Sequence, residues 1–186
     1  MKAIVLAGDK HYLTPILTTI KSILYYNQNV KIYILHQNIP SDWFHELKVQ
    51  VEMLGSIVED IYIGDVINPE WKTQAHISPI AYARYLIPRL TTEDRVVYLD
   101  SDIIVHGDLS PLFDLDLGDY SLAAVRDVDG NGFNSGMLVI DCQKWREKDV
   151  TSLLFDKTVE YMSYLKQNTT EDFNGDQTIF NLVFQN

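Results

Sequence analysis

Two carboxylates stand one serine apart in Asp100-Ser101-Asp102, within the run RVVYLDSDIIVHGDL from Arg95 to Leu109. Val96, Val97, Tyr98 and Leu99 before them read as a buried strand, and another apolar run, Ile103 to Val105, follows at once. In an extended segment, residues i and i+2 project to the same side. Both carboxylates would then aim at one point, and paired anionic oxygens suit a hard divalent ion such as Mg²⁺ or Mn²⁺. The plainer reading is an acidic, solvated turn. Position favours the metal, because open α/β sheets bind their ligands just beyond the carboxyl ends of strands.

The elements that must hold these acids alternate along the chain. Lys2 to Leu6 reads as a first strand. Leu13, Ile16, Leu17, Ile20, Ile23 and Leu24 then recur at helical spacing, with Pro15 in the first turn. Val30 to His36 alternates as a second strand, and Ser41 is placed to cap a helix over SDWFHELKVQVEML. A third strand is expected over Ile57 to Ile63, and Pro79 precedes a helical stretch, IAYARYLIPRL. Beyond the two acids, SLAAV and FNSGMLVID read as strands. Val150 to Gln167 reads as a long helix with Leu153, Leu154, Val159, Met162 and Leu165 inward, and DQTIFNLVF as a short one. This alternation predicts an α/β fold: a Rossmann-like, mostly parallel central sheet with flanking helices. Residues 1–186 read as a single domain, and closure at FNLVFQN, inside an apolar segment, reads as truncation of a longer protein.

Bulk properties narrow the function. A chain of 186 residues buries roughly 70% of its unfolded surface and needs no staples. One cysteine, Cys142, excludes an internal disulfide and fits a reducing compartment. It precedes a Lys–Trp pair two residues on and reads as a small buried hydrophobe. No apolar run approaches a membrane span, and the N-terminal stretch MKAIVLAGDK is too short for a signal peptide core. The net charge of −11 argues against nucleic acid as the partner. A diphosphate remains compatible, provided a divalent cation sits between the two negative parties.

An Asp-x-Asp pair after a strand admits two chemistries. A phosphatase of the haloacid dehalogenase type uses the first Asp as nucleophile. That pattern lies near the N-terminus and wants Thr or Val two residues after the second Asp, where this chain has Ile104. A glycosyltransferase of the GT-A type uses the pair to hold a metal that grips a nucleotide-sugar diphosphate. The surrounding residues resemble glycosyltransferase family eight, the family of glycogenin and bacterial lipooligosaccharide galactosyltransferases. The resemblance runs through IVLAGDKHY, HISPIAYARYLIP, VVYLDSDIIVHGDLSPLFDLDLGD, FNSGMLVIDCQKWR and FNGDQTIFN, in order and in register.

That resemblance implies the GT-A nucleotide-diphospho-sugar transferase fold, with residues 1–186 as its catalytic domain. It also implies retaining transfer of a hexose from UDP-glucose or UDP-galactose to a glycan, lipid-linked or protein acceptor. Ala7, Gly8 and Asp9 are similar to the turn that holds uracil and ribose, with His11 beside it. Arg84 resembles the arginine that reaches the donor phosphate or sugar. Asp100 and Asp102 resemble the ligands of Mn²⁺ or Mg²⁺, with Ser101 on the ribose. Asp127, Asn134 and Ser135 resemble donor-sugar contacts, and Asp176 and Gln177 the pair beneath the anomeric carbon. The family's third metal ligand, a histidine near the C-terminus, has no counterpart here, which opens a third reading: a non-catalytic nucleotide-sugar binder or inactive fragment. The cytoplasm, where sugar nucleotides are made, is the implied compartment.

Each residue also has a structural reading. Gly8 suits a turn with φ > 0. Arg84 falls on a helical stretch, where arginine is usually a surface charge. Asn134 and Ser135 can merely open a strand, and Asp176 can cap the last helix. His11 and His76 read as exposed or satisfied histidines, and Tyr82, Tyr85 and Tyr98 as packing residues.

Overall fold

The computed structural model describes residues 1–71, 73, 78–128, 132–168 and 173–184. Six strands, β1 (Lys2–Ala7), β2 (Val30–His36), β3 (Ile57–Tyr62), β4 (Arg95–Leu99), β5 (Leu122–Arg126) and β6 (Phe133–Asp141), form one sheet in the order β3-β2-β1-β4-β6-β5. β1 pairs in parallel with β2 and β4, and β2 with β3. β6 is antiparallel to both of its neighbours, so it alone runs against the rest. The expected mostly parallel sheet is present, and this one reversal matters below.

Both faces of the sheet are covered. Ile4, Leu6, Ile32, Ile34, Val97 and Leu99 pack under Ile16, Ile20 and Ile23 of α1 (Leu13–Tyr26) and Phe44 and Leu47 of α2 (Ser41–Glu52). Ala3, Val5, Leu35, Val96, Tyr98 and Leu138 face the opposite layer. That layer holds a 3₁₀ segment (Pro79–Leu86), α3 (Ile87–Leu90), α5 (Cys142–Glu147), α6 (Val150–Leu165) and α7 (Asp176–Phe184). Two-sided burial explains why β2 does not alternate as expected: apart from Lys31 it is buried along its whole length.

Several local expectations are corrected. Pro40, not Ser41, occupies the cap position of α2, and no side chain caps that end. Leu153 and Val159 of α6 are exposed, at 52% and 55%. The stretch after Pro79 begins as a 3₁₀ segment rather than an α-helix, and the form of its last bond is visible in the sequence. Pro88 has no N–H to give the Arg84 carbonyl, so the Ile87 N–H takes it in an i→i+3 bond. Two short helices were not expected: α4 (Ser110–Phe113) and α5, whose start is capped by Asp141 accepting from the Lys144 N–H at 2.9 Å.

The loop after β4 is tied to α1. Ser22 Oγ accepts from Val105 N–H at 2.9 Å, Asn27 Oδ1 accepts from Leu109 N–H at 2.8 Å, and Asn27 Nδ2 donates to the Gly107 carbonyl at 3.2 Å. The segment carrying the two acids is therefore held at a fixed height above the sheet. On the other layer, Trp145 Nε1 donates to Thr151 Oγ1 at 3.0 Å, and that hydroxyl donates to the Tyr85 carbonyl at 2.8 Å. This buried chain fixes the residue next to Arg84.

Cys142 is fully buried, and burial pushes its thiol up to about 11. Only the thiolate attacks disulfide reagents. At pH 8 the native protein is expected to release no chromophore from an aromatic disulfide reagent, and one equivalent after denaturation. Rapid reaction of the native protein would contradict the buried placement.

Candidate functional site

The C-terminal ends of β1 and β4, the N-terminal end of β6, the 3₁₀ segment and α7 enclose a cleft of about 510 Å³. The reversal of β6 is what brings Asn134, Ser135 and Gly136 to the edge where parallel strands end. The Asp100 N–H donates to the Gly136 carbonyl at 2.8 Å across that junction. Ala7, Gly8, Asp9 and His11 line the cleft from the loop after β1, and Asp100, Ser101 and Asp102 from the loop after β4. Arg84, Asn134, Ser135, Asp176 and Gln177 complete the predicted set. Asp127 is not among the residues that line the cleft; its carboxylate accepts from Gln177 Nε2. His76 lies outside the described residues.

The two acids reach the cleft by a different geometry from the one expected. β4 ends at Leu99, and Asp100 opens a turn in which the Ile103 N–H donates to the Asp100 carbonyl at 3.2 Å. Asp100 Oδ1 accepts from Tyr98 Oη at 2.7 Å and Arg84 Nη2 at 3.0 Å. Asp102 Oδ2 accepts from Tyr12 Oη at 2.8 Å. That bond to an anion pushes the Tyr12 hydroxyl up to about 12, so it stays a donor at neutral pH. Among the described residues, one oxygen of each carboxylate makes no hydrogen bond.

Ser101 is buried and donates to the Ala7 carbonyl at 2.7 Å, which ties the ends of β1 and β4 together. The turn after β1 closes on itself: Asp9 Oδ1 accepts from His11 N–H, and the Tyr12 N–H donates to the Asp9 carbonyl, both at 2.9 Å. Gly8 is not at positive φ. What it supplies is closeness, since a Cβ there would stand 2.7 Å from Ile16 Cδ1 of α1.

Arg84 is not a surface charge. Its Nε donates to the Ala81 carbonyl at 2.9 Å and lies 3.1 Å from Asp176 Oδ2, its Nη1 donates to the Ser135 carbonyl, and its guanidinium lies 4.6 Å from the Tyr98 ring centre. Asp176 is likewise not an exposed cap; it is 4% exposed at the head of α7. Burial pushes its carboxyl up to about 6, with Arg84 pulling the other way. Gln177 accepts from the Ser135 N–H at 3.1 Å and donates to Asp127.

Three contributors escaped the sequence reading. Tyr98 packs as expected but also aims its hydroxyl at Asp100, two residues on; the i, i+2 rule applied one step earlier along the strand would have found it. Tyr12 holds Asp102. Gly136 leaves room for Asp100: a Cβ there would meet Asp100 Oδ2 at 2.7 Å and Asn134 Oδ1 at 2.9 Å.

Among the described residues no group of three His, Cys, Asp or Glu side chains can hold a metal. Asp100 and Asp102 offer hard anionic oxygens to the cleft, the donor type a divalent cation such as Mg²⁺ or Mn²⁺ takes. Among the described residues no helix is long and apolar enough to cross a membrane.

Residues 3–186 match the family described as Glycosyl transferase family 8. The glycosyltransferase GlyD of Streptococcus pneumoniae is 48% identical over 185 residues, covering 99% of this chain and 23% of GlyD. The crystal structure of GlyE from the same organism superposes with a TM-score of 0.79 at 38% identity, covering all of this chain and 43% of GlyE. The galactosyltransferase LgtC, solved with donor and acceptor sugar analogues, gives a TM-score of 0.83 at 26% identity, with 98% and 70% covered. The chain thus spans between about a quarter and a half of the length of the pneumococcal relatives GlyD, GlyF and GlyE.

Proposed function

The chain belongs to glycosyl transferase family 8, and from that premise we propose that residues 1–186 form a GT-A catalytic domain. It moves glucose or galactose from a UDP-sugar to a glycan, lipid-linked or protein acceptor with retention, working in the cytoplasm. The observation that carries this reading is the meeting of Asp100, Asp102 and Gln177 in one cleft at the carboxyl edge of the sheet. The phosphatase reading falls with the family assignment.

Asp100 and Asp102 would hold Mn²⁺ or Mg²⁺, which when bound supplies positive charge to the departing diphosphate. The Ala7–Asp9 turn, with His11 beside it, would seat uracil and ribose over Ser101. Arg84 holds Asp100 on one side and Asp176 on the other, so the floor beneath the donor is preorganised rather than assembled on binding. Asn134 and Ser135 would contact the donor sugar. Gln177 turns an amide toward the cleft, and an amide oxygen is a poor nucleophile. Asp176 is held against Arg84 instead. The chemistry this suits is front-side attack by the acceptor hydroxyl, with Gln177 Oε1 steadying the positive charge that develops at the anomeric carbon. A covalent sugar adduct trapped on either residue would exclude that route.

The test is calorimetric titration with UDP, with and without Mn²⁺, on wild type and Asp102→Ala. Binding is expected to weaken on the order of 100-fold when either the ion or the carboxylate is removed. UDP binding that ignores both would overturn the clamp. Metal-dependent binding without hexose transfer would favour a non-catalytic nucleotide-sugar binder.

A further inference from the structure

Asp127 is not among the residues that line the cleft, yet it grips the one side chain proposed to face the anomeric carbon. Gln177 lies in the first turn of α7 with both ends of its amide held. Its Oε1 accepts from the Ser135 N–H at 3.1 Å, and its Nε2 donates to Asp127 Oδ2. The carboxylate is itself anchored: Asp127 Oδ1 accepts from the Val128 N–H at 2.8 Å, and the Asp127 N–H donates to the Gly132 carbonyl at 3.1 Å. One turn further along α7, Asn181 splints the helix to β6. Its Oδ1 accepts from the Phe133 N–H and its Nδ2 donates to the Phe133 carbonyl, both at 2.8 Å.

These partners decide which end of the amide is oxygen. A carboxylate accepts and never donates, while a backbone N–H donates and never accepts. A flipped Gln177 would set oxygen against oxygen at Asp127 and two donors against each other at Ser135. The observed orientation is the one in which both contacts are made.

We infer that Asp127 is a positioning residue for Gln177: its carboxylate locks the amide orientation and polarises it, enriching the electron density on Oε1. A hydrogen bond to a charged acceptor is about twice as strong as a neutral one, and bonded groups polarise one another. Asp127 forms no bond to the sugar and moves no proton in this role. The inference rests on the reading of Gln177 given above, and it replaces the direct donor-sugar contact that the resemblance implied for Asp127.

The experiment compares Asp127→Asn, Gln177→Glu and the double variant, each first checked for an unchanged circular dichroism spectrum. Steady-state transfer is measured with UDP-glucose and UDP-galactose. The carboxyl introduced by Gln177→Glu is titrated by ¹³C NMR. Asp127→Asn is expected to lower kcat about tenfold while the donor KM stays within about twofold. In Gln177→Glu two carboxylates share one contact, so the introduced carboxyl titrates about one pH unit higher than in the double variant, where an amide again meets a carboxylate. A raised donor KM at unchanged kcat would return Asp127 to a sugar contact and overturn the inference. Identical titration in the single and double variants would overturn it too. If wild type transfers neither hexose, the proposed function fails, while the titration still decides whether Asp127 governs position 177.

Discussion

Arg84→Met is expected to destabilise the protein by about 3–5 kcal/mol and to abolish sugar transfer. Arg84 and Asp176 are each 6% exposed at the side chain, and the guanidinium is shared between Asp176 and Asp100. Removing it leaves a carboxylate in the interior with no cation beside it, and two acids repelling across the gap. For a chain of this size the loss corresponds to a melting temperature lower by about 10 °C. The sign of the pH dependence follows from Asp176. Its folded carboxyl is already raised to about 6 by burial, with Arg84 opposing. Without Arg84 it rises further and is neutral near pH 5, so the penalty shrinks there and is full at pH 8. Adding Asp176→Asn to Arg84→Met should recover much of the stability and none of the activity. Thermal denaturation of the three proteins at both pH values checks this; an Arg84→Met protein as stable as wild type at pH 8 would sink it.

Gly136→Ala is expected to cut turnover about 100-fold while leaving the fold in place. The added methyl would stand 2.7 Å from Asp100 Oδ2 and 2.9 Å from Asn134 Oδ1. Neither neighbour can yield freely, since Asp100 is held by Arg84 and Tyr98, and Asn134 Oδ1 accepts from the Gly136 N–H at 2.8 Å. The carboxylate oxygen that would face the cation must therefore shift. Overpacking of one methyl costs about 1–3 kcal/mol, whereas misplacing a catalytic group by roughly an ångström costs about a factor of 100 in rate. Stability and activity should separate: a small fall in melting temperature with a large fall in kcat/KM. Turnover within threefold of wild type would mean that Asp100 has room the structure does not give it.

The contrast between these two positions shows what the sequence could convey. Strands buried on both faces write themselves as apolar runs, so Lys2 to Leu6 and Val96 to Leu99 were legible, and the acids beyond Leu99 marked the binding edge. Arg84 was placed on a helical stretch with the ordinary expectation of exposure. Its burial depends on Asp100, Asp176 and the Ser135 carbonyl, contributed by three distant segments, and no local pattern records such a meeting. Gly136 carries no such signal, because a glycine kept for the space beside it looks in sequence like any other glycine. Pro88 illustrates the opposite case: its missing N–H is in the sequence, and it accounts for the i→i+3 bond from the Ile87 N–H to the Arg84 carbonyl that ends the 3₁₀ segment.

The bridge from Arg84 to α7 also bears on how the chain reaches its native state. Helix α7 delivers Asp176, and until it docks, Arg84 is an interior cation balanced by Asp100 alone. Contacts between segments so far apart in sequence form late, because the intervening chain must be ordered first. A sheet assembled without α7 pairs Arg84 with Asp100 alone, and the step that adds Asp176 is the step that installs Gln177, its neighbour on the same helix. The residue that braces the arginine and the residue proposed to face the anomeric carbon therefore arrive together, carried by one helix.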